Sequence, residues 1–338
     1  MTNPSSNALT CVLGACLGLS VTANAGAQQL LTCPAATTLD ALATCVRNQM
    51  PQLSSNLYVP PTPVEQADFA AVVTQMMGSQ CDFTLPDTLA ANYQVRTFTD
   101  SVTTKRYCLL MEVLDADDDG IVDRGWGTFM VNNAASRPNL NHSAPHPIYD
   151  AMTENQAINI FQDTDSRSYL MCGAHRHANG LTGGTCESSY GEADCAHQID
   201  GMFHAAVQAM NEYYGDTAWT HVQWHGKSAT TCPMVDAYGS QGFNAAQPPE
   251  SNVISLRDLM AINQPSYTFE LTGTGSACTL NATDNVQGRY VNGATDICRS
   301  NAGGIPTNKF VHLEQSPRIR SAGAAIWDLS VAQNWPDQ

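Results

Sequence analysis

Apolar side chains recur at two different periods along this chain of 338 residues. Over 38–47 and again over 64–77 they return every three or four residues, as at Leu39, Leu42, Ala43 and Val46. That spacing lays one apolar stripe along a helix. The stretch Tyr58-Val-Pro-Pro-Thr-Pro63 separates the two helices. Residues 93–98 and 106–114 are rich in β-branched and aromatic side chains and read as strands, as do 127–132. Thereafter helix and strand alternate: helix 155–162, strand 168–172, helix 193–210, strand 218–224, helix 255–262, strands 266–272 and 310–315, and a last helix over 322–333. This alternation predicts an α/β fold, a mixed sheet covered by helices on both faces. The expected organisation is a leader over 1–27, a small disulfide-stapled N-terminal region of helix and strand over 28–110, and an α/β domain over 111–338. Ligands of such sheets sit beyond the carboxyl ends of the strands, so the loops that follow strands are where chemistry is expected.

The first 27 residues contain no charged side chain, and the apolar run from Ala8 to Val21 ends in the small residues Thr-Ala-Asn-Ala-Gly-Ala27. This is the pattern of a cleaved signal peptide, too short to span a bilayer; Leu-Gly-Ala-Cys16 offers a lipidation box as the alternative. Export to a secreted or periplasmic location agrees with twelve cysteines. Ten of them lie beyond the leader, enough for five disulfides. Nearest neighbours suggest Cys33–Cys45, Cys81–Cys108, Cys186–Cys195 and Cys278–Cys298, leaving Cys172 for Cys232. No Cys-x-x-Cys pair is present, which argues against a zinc finger or a thioredoxin-like role. A net charge of −16 with 15 Lys and Arg leaves no basic stripe for nucleic acid or an anionic membrane.

Asp115, Asp117, Asp119, Gly120 and Asp123 fall at positions 1, 3, 5, 6 and 9 of a calcium loop, but position 12 is Trp126 where a bidentate Glu belongs. The segment is expected to be either a structural calcium site or an Asp-Gly turn between strands. All nine histidines lie between 142 and 312. Asn141-His-Ser-Ala-Pro-His-Pro-Ile-Tyr-Asp150 sets His142, His146 and Asp150 on one loop, and two prolines stiffen the backbone around His146. His175 and Arg176 follow one predicted strand and His225 another, while Glu314 lies near the end of its own. His312 shares a strand face with Glu314 by alternation. His197 and His204, seven apart on a predicted helix, share a face; His204, beside Phe203, is expected to be packed, and His177 and His221 to be non-ligands.

The order His146-x-x-x-Asp150-x-x-Thr153, then a strand and His175-Arg176, then Val222-Gln-Trp-His225-Gly226, then a late strand with Glu314 followed by Arg318 and Arg320, resembles the zinc carboxypeptidase-like superfamily. It is nearest the poly-gamma-glutamate hydrolase and N-formylglutamate amidohydrolase branch, over residues 126–320. The resemblance implies zinc on His146, Asp150 and His225, with Glu314 as general base. Asp150 stands where the superfamily has Glu, which leaves the second ligand open between Asp150 and His142. Two imidazoles and a carboxylate leave zinc a fourth position for water, and a carboxylate outside the ligand set can move the proton. The other reading of Glu314 is a salt bridge to Arg318 or Arg320. Arg176 and Arg289 have the fork to grip a carboxylate or polarise a carbonyl; His175, His197 and Arg318 complete the substrate-binding candidates. The expected activity is therefore cleavage of an amide or peptide bond next to a glutamate-like carboxylate, in a small or polymeric acyl-amino-acid substrate. The alternatives are a metal-dependent polysaccharide esterase or deacetylase, and a calcium-stabilised binding module without catalysis. No Gly-x-Ser-x-Gly elbow is present, which argues against a serine hydrolase of the α/β type.

Overall fold

The computed structural model describes residues 29–299 and 306–338; the leader expected over 1–27 lies outside them. The strands in chain order are β1 (Gln29–Leu30), β2 (Tyr93–Thr99), β3 (Arg106–Glu112), β4 (Leu114–Asp115), β5 (Thr128–Val131), β6 (Arg137–Ala144), β7 (Ser166–Met171), β8 (Thr220–Gly226), β9 (Ala237–Ser240), β10 (Phe269–Leu271) and β11 (Phe310–Gln315). β1 and β4 pair by themselves. The others form one nine-stranded sheet in the order β10-β9-β11-β8-β6-β7-β5-β3-β2. Neighbours among β11, β8, β6 and β7 run parallel, whereas β5, β3 and β2 continue from β7 as an antiparallel meander. The sheet is thus mixed, with a parallel centre and an antiparallel side.

Both faces are buried, as a sheet covered by helices on two sides requires. Leu109 and Met111 of β3 belong to one apolar core, together with residues of the helices Leu39–Asn48, Thr153–Asp163 and Asn252–Asn263. Cys108 and Leu110 alternate into the other, with the helices Pro63–Met77 and Met202–Tyr214. Thr62 and Glu65 form a capping box on the helix whose first residue is Pro63, which is why the Pro-rich linker ends where it does. Strand β3 runs through position 110, so the N-terminal region contributes two strands to the main sheet.

Several elements differ from those read from hydrophobic pattern. β6 lies in the middle of the sheet although its sequence, Arg137-Pro-Asn-Leu-Asn-His-Ser-Ala144, is polar and reads as loop from Asn141 on. Its polar groups are all satisfied: Ser168 Oγ donates to Asn141 Oδ1 at 2.6 Å, Trp224 Nε1 donates to His142 Nδ1 at 3.1 Å, and Ser143 Oγ stands 2.6 Å from His221 Nε2. Burial of these polar side chains beside Leu140 and Ala144 of the apolar core is tolerated when every donor has a partner. The helix expected over 193–210 begins only at Met202, because 173–201 is a run of turns. A short helix, Val286–Val291, carries Arg289, β9 has no counterpart among the strands read from sequence, and the last helix is broken into a 3-10 turn and Asp328–Asn334.

Cys33–Cys45 and Cys81–Cys108 pair as expected. The other three do not: the bonds are Cys172–Cys195, Cys186–Cys298 and Cys232–Cys278. Sequence proximity fails there because the irregular excursion from β7 returns Cys195 to the end of that strand. Cys186, at its outer part, is left to meet Cys298 across the molecule.

Candidate active site

The carboxyl ends of β6, β7, β8 and β11 open on one edge of the sheet. His146 lies two residues past β6, Arg176 five past β7, His225 is the penultimate residue of β8 and Glu314 that of β11. A tight turn brings Asp150 back to His146. The Asp150 N–H donates to the His146 carbonyl at 2.9 Å, and Ile148 between them sits at φ 70°, a conformation a β-branched residue adopts only where the surroundings enforce it. Arg320 clamps this turn to β8, donating from Nη1 to the Ala151 carbonyl at 2.9 Å and from Nη2 to that of Lys227 at 3.3 Å. Gly226 makes room for it, since a Cβ there would lie 2.4 Å from Arg320 Nη1.

The result is a triangle of donors. His146 Nδ1 is 3.2 Å from Asp150 Oδ2 and 3.2 Å from His225 Nδ1, and His225 Nδ1 is 3.4 Å from Asp150 Oδ2. A tetrahedral ion with bonds of about 2.0–2.1 Å has donor-to-donor edges of roughly 3.3 Å, so the spacing suits zinc. The outer ring nitrogens are tied as well. His146 Nε2 is 2.9 Å from Asp194 Oδ1 and His225 Nε2 is 3.2 Å from Gln223 Oε1, the kind of backing that fixes which nitrogen faces an ion. Asn285 Nδ2 donates to the same Gln223 oxygen at 2.7 Å. Asp194, fully buried, also accepts from His197 Nδ1 at 2.8 Å and pairs with Arg176.

The electrostatics follow from burial and these contacts. Burial and Arg176 oppose protonation of His146, but Asp194 and Asp150 outweigh them and raise its pKa. Burial lowers that of His225 to about 4. Asp150 is held well below the usual carboxylate range because His146 and His225 override the effect of burial, and Asp194 is held down in the same way by His146 and His197. Glu314 behaves oppositely: burial, followed by the charge of Asp150, pushes it up to about 8. Its nearest ionic neighbour is His312, at 3.6 Å from Nε2 to Oε1; Arg318 is paired instead with Asp236 and Arg320 with carbonyls. His312 is itself buried with Nδ1 unpartnered, and burial followed by His225 holds its pKa far down.

A cleft of about 290 Å³ opens at the triangle, lined by His146, His225, His312 and Glu314, by Arg176, Tyr190 and His197, and by residues 279–282, 284 and 285. The Tyr190 ring stacks on that of His197 with centroids 3.5 Å apart, and its hydroxyl donates to Asp284.

His146, Asp150, Arg176, His197, His225 and Glu314 are therefore brought together. His142 is not: it faces Ser166 and Trp224 inside the sheet core, and burial lowers its pKa to about 3. Arg289 pairs with Glu187 and donates to the Thr283 and Ile297 carbonyls. Arg318 lies over Tyr267, half exposed. His175 is not in the cleft lining; it packs against Tyr149 and accepts the His177 N–H. His204 is buried in the apolar core and His221 bonds Ser143. In the acidic loop Asp115, Asp117 and Asp123 converge. There Asp115 accepts from the Asp119 and Gly120 N–H groups, Asp119 from that of Ile121, and Trp126 is buried with its indole N–H on the Val59 carbonyl, so the turn is complete as a hydrogen-bonded unit.

Asp194, Tyr190, Gln223 and Asn285 were not anticipated. Gln223 was within reach, since period-two alternation puts it on the face of His225. Asp194 had only the spacing Asp194-Cys-Ala-His197 to mark it, and that was read as the start of a helix.

No protein-family model matches the sequence, and no curated protein matches it closely. Among solved structures the chain is similar to a metallo-carboxypeptidase from Burkholderia cenocepacia (12% identity, TM-score 0.34, covering 82% of this chain and 70% of that one). It is similar also to a bacteriophage poly-gamma-glutamate hydrolase (12% identity, TM-score 0.32, 59% of this chain and 84% of that one). A gene product of Agrobacterium tumefaciens matches at 10% identity and TM-score 0.35, over 58% of this chain and 87% of that one. At such scores the functional reading rests on the site's own geometry.

Proposed function

We propose that this chain is an exported metal-dependent hydrolase that cleaves an amide or peptide bond, with zinc held by His146, Asp150 and His225. The observation that carries the reading is the donor triangle, whose 3.2–3.4 Å edges match a tetrahedral ion and whose two imidazoles are each backed through the outer nitrogen. When bound, zinc polarises a carbonyl and brings a water's pKa down to near ~7. Glu314 accepts a proton and returns it to the leaving nitrogen. It lies at the cleft, outside the donor triangle and 3.6 Å from His312, as a carboxylate that moves a proton without ligating the ion must. Arg176, with Nη1 3.4 Å from His146 Nδ1, is placed to orient a carbonyl or carboxylate oxygen next to the same donors. Arg289 and Arg318 do not line the cleft, whereas Arg176 does, so a glutamate-like carboxylate would meet Arg176 there, although its Nη2 already pairs with Asp194. The five disulfides support a secreted or periplasmic location.

The test is hydrolysis of N-acyl-glutamate and acetylated-sugar substrates by the oxidised protein before and after chelator treatment. Activity on the acyl-glutamate that chelation abolishes and zinc restores is expected. Activity on the acetylated sugar alone would establish the esterase or deacetylase instead, and activity indifferent to the chelator would end the metal reading.

A further inference from the structure

The segment 173–201 brings Arg176, Tyr190 and His197 to the cleft and Asp194 beneath them, yet it contains neither helix nor strand. Irregular runs of this length are uncommon in compact domains and tend to be functional, and without a ladder their shape needs another hold. Asp194 is where that need is sharpest. It is the group that engages the outer nitrogen of His146, while its own backbone N–H makes only a turn bond, to the Gly191 carbonyl.

The residue after Asp194 is Cys195, bonded to Cys172. Cys172 directly follows β7, is fully buried, and donates its N–H to the Ala144 carbonyl at 3.1 Å, at the end of β6 and two residues before His146. A closed path therefore runs from His146 back through Pro145 to Ala144, across one hydrogen bond to Cys172, through the disulfide to Cys195, and from Asp194 back to His146. Gln287 Nε2 holds the same corner by donating to the Cys195 carbonyl at 2.9 Å. Among the described residues, the N-terminal disulfides Cys33–Cys45 and Cys81–Cys108 show no such link to the cleft.

We propose that the Cys172–Cys195 disulfide is a positioning element for His146: by fixing Asp194 it sets which imidazole nitrogen faces the cleft, so that zinc is held tightly only while this bond is closed. The inference rests on the metal reading above. Its test is the zinc dissociation constant, measured by competition with a chromophoric chelator. The chains compared are the wild type, Cys172→Ala/Cys195→Ala, Asp194→Asn, the triple variant combining them, and Cys33→Ala/Cys45→Ala as control. Loss of a group backing a metal ligand weakens binding about 10–100-fold. That loss is expected for Cys172→Ala/Cys195→Ala and for Asp194→Asn, with no further loss in the triple variant because both act through one bond. The control is expected to melt earlier with its zinc affinity unchanged, since a merely structural disulfide moves the melting temperature and not the affinity. Wild-type affinity in Cys172→Ala/Cys195→Ala, or losses that multiply in the triple variant, would overturn the inference while leaving the metal reading in place. Absence of zinc from the wild type would overturn both.

If the doubly substituted chain does not fold, the folded wild type is treated with excess trialkylphosphine, which with one water opens the disulfide to two thiols and is itself oxidised to the phosphine oxide. Zinc release in step with alkylation of Cys172 and Cys195 is expected. Zinc retained with both cysteines alkylated would refute the proposal.

Discussion

Two glutamates, Glu112 on β3 and Glu314 on β11, sit on opposite halves of the same sheet. Glu112 is buried and Glu314 half-buried at the cleft, and burial raises both pKa values, to about 7 and about 8. In the antiparallel half Glu112 accepts the N–H groups of Arg124, Gly125 and Trp126 at 2.9, 3.0 and 2.6 Å. It is the peg on which that loop hangs. In the parallel half Glu314 has no backbone donor among its contacts, only a histidine at 3.6 Å, and it faces the cleft. A buried carboxylate whose acceptors are filled is spent on the fold, whereas one left unfilled beside a set of imidazoles is kept for chemistry.

The largest effect is expected where that difference is removed on the cleft side. Glu314→Gln keeps the shape of the side chain and removes its ability to take a proton. It should lower kcat about 10²–10⁴-fold with zinc content and folding unchanged, read by steady-state kinetics beside elemental analysis. Loss of zinc in this variant would make Glu314 a ligand, and an intact kcat with a lowered melting temperature would make it a second Glu112.

The mirror experiment is smaller. Glu112→Gln replaces one of the accepting oxygens with a donor group, and a buried N–H left unsatisfied costs about 1–3 kcal/mol, seen as a lower denaturation midpoint with kcat retained. The pH dependence gives a further check. The folded pKa of Glu112 lies above that of an unfolded glutamate, about 4.3, so the folded chain holds a proton that the unfolded chain has released. Stability from this group is therefore full below about pH 4 and falls as pH rises through about 7. The Gln variant should show a shallower decline of melting temperature across that window; an unchanged slope would remove Glu112 as its source.

The two halves also differed in how far the sequence disclosed them. On the antiparallel side strands β2 and β3 announce themselves by β-branched and aromatic residues, the Pro63 helix by its capping box, and the disulfides join near neighbours. On the parallel side β11 and the alternation of His312 and Glu314 were equally plain. But β6 hides its role behind Asn141, His142 and Ser143, whose polar side chains are buried because partners on β7 and β8 satisfy them, and a partner on another strand leaves no local trace. The same reason concealed Asp194 and the three disulfides around the cleft. Their meaning comes from a turn-built excursion folding back on the sheet, and no periodic pattern encodes that. His142 illustrates the limit: in sequence it is as good a ligand as His146, and it is separated from it only by depth, since His142 lies on β6 inside the sheet core and His146 two residues beyond the strand's carboxyl end.

The account stands most directly on the zinc content of the purified, oxidised protein, determined by elemental analysis for the wild type and three histidine variants. One zinc per chain is predicted for the wild type and for His142→Ala, and a trace for His146→Ala and His225→Ala, because each of these removes one corner of the donor triangle. Stoichiometric zinc in both His146→Ala and His225→Ala would contradict the site assigned here.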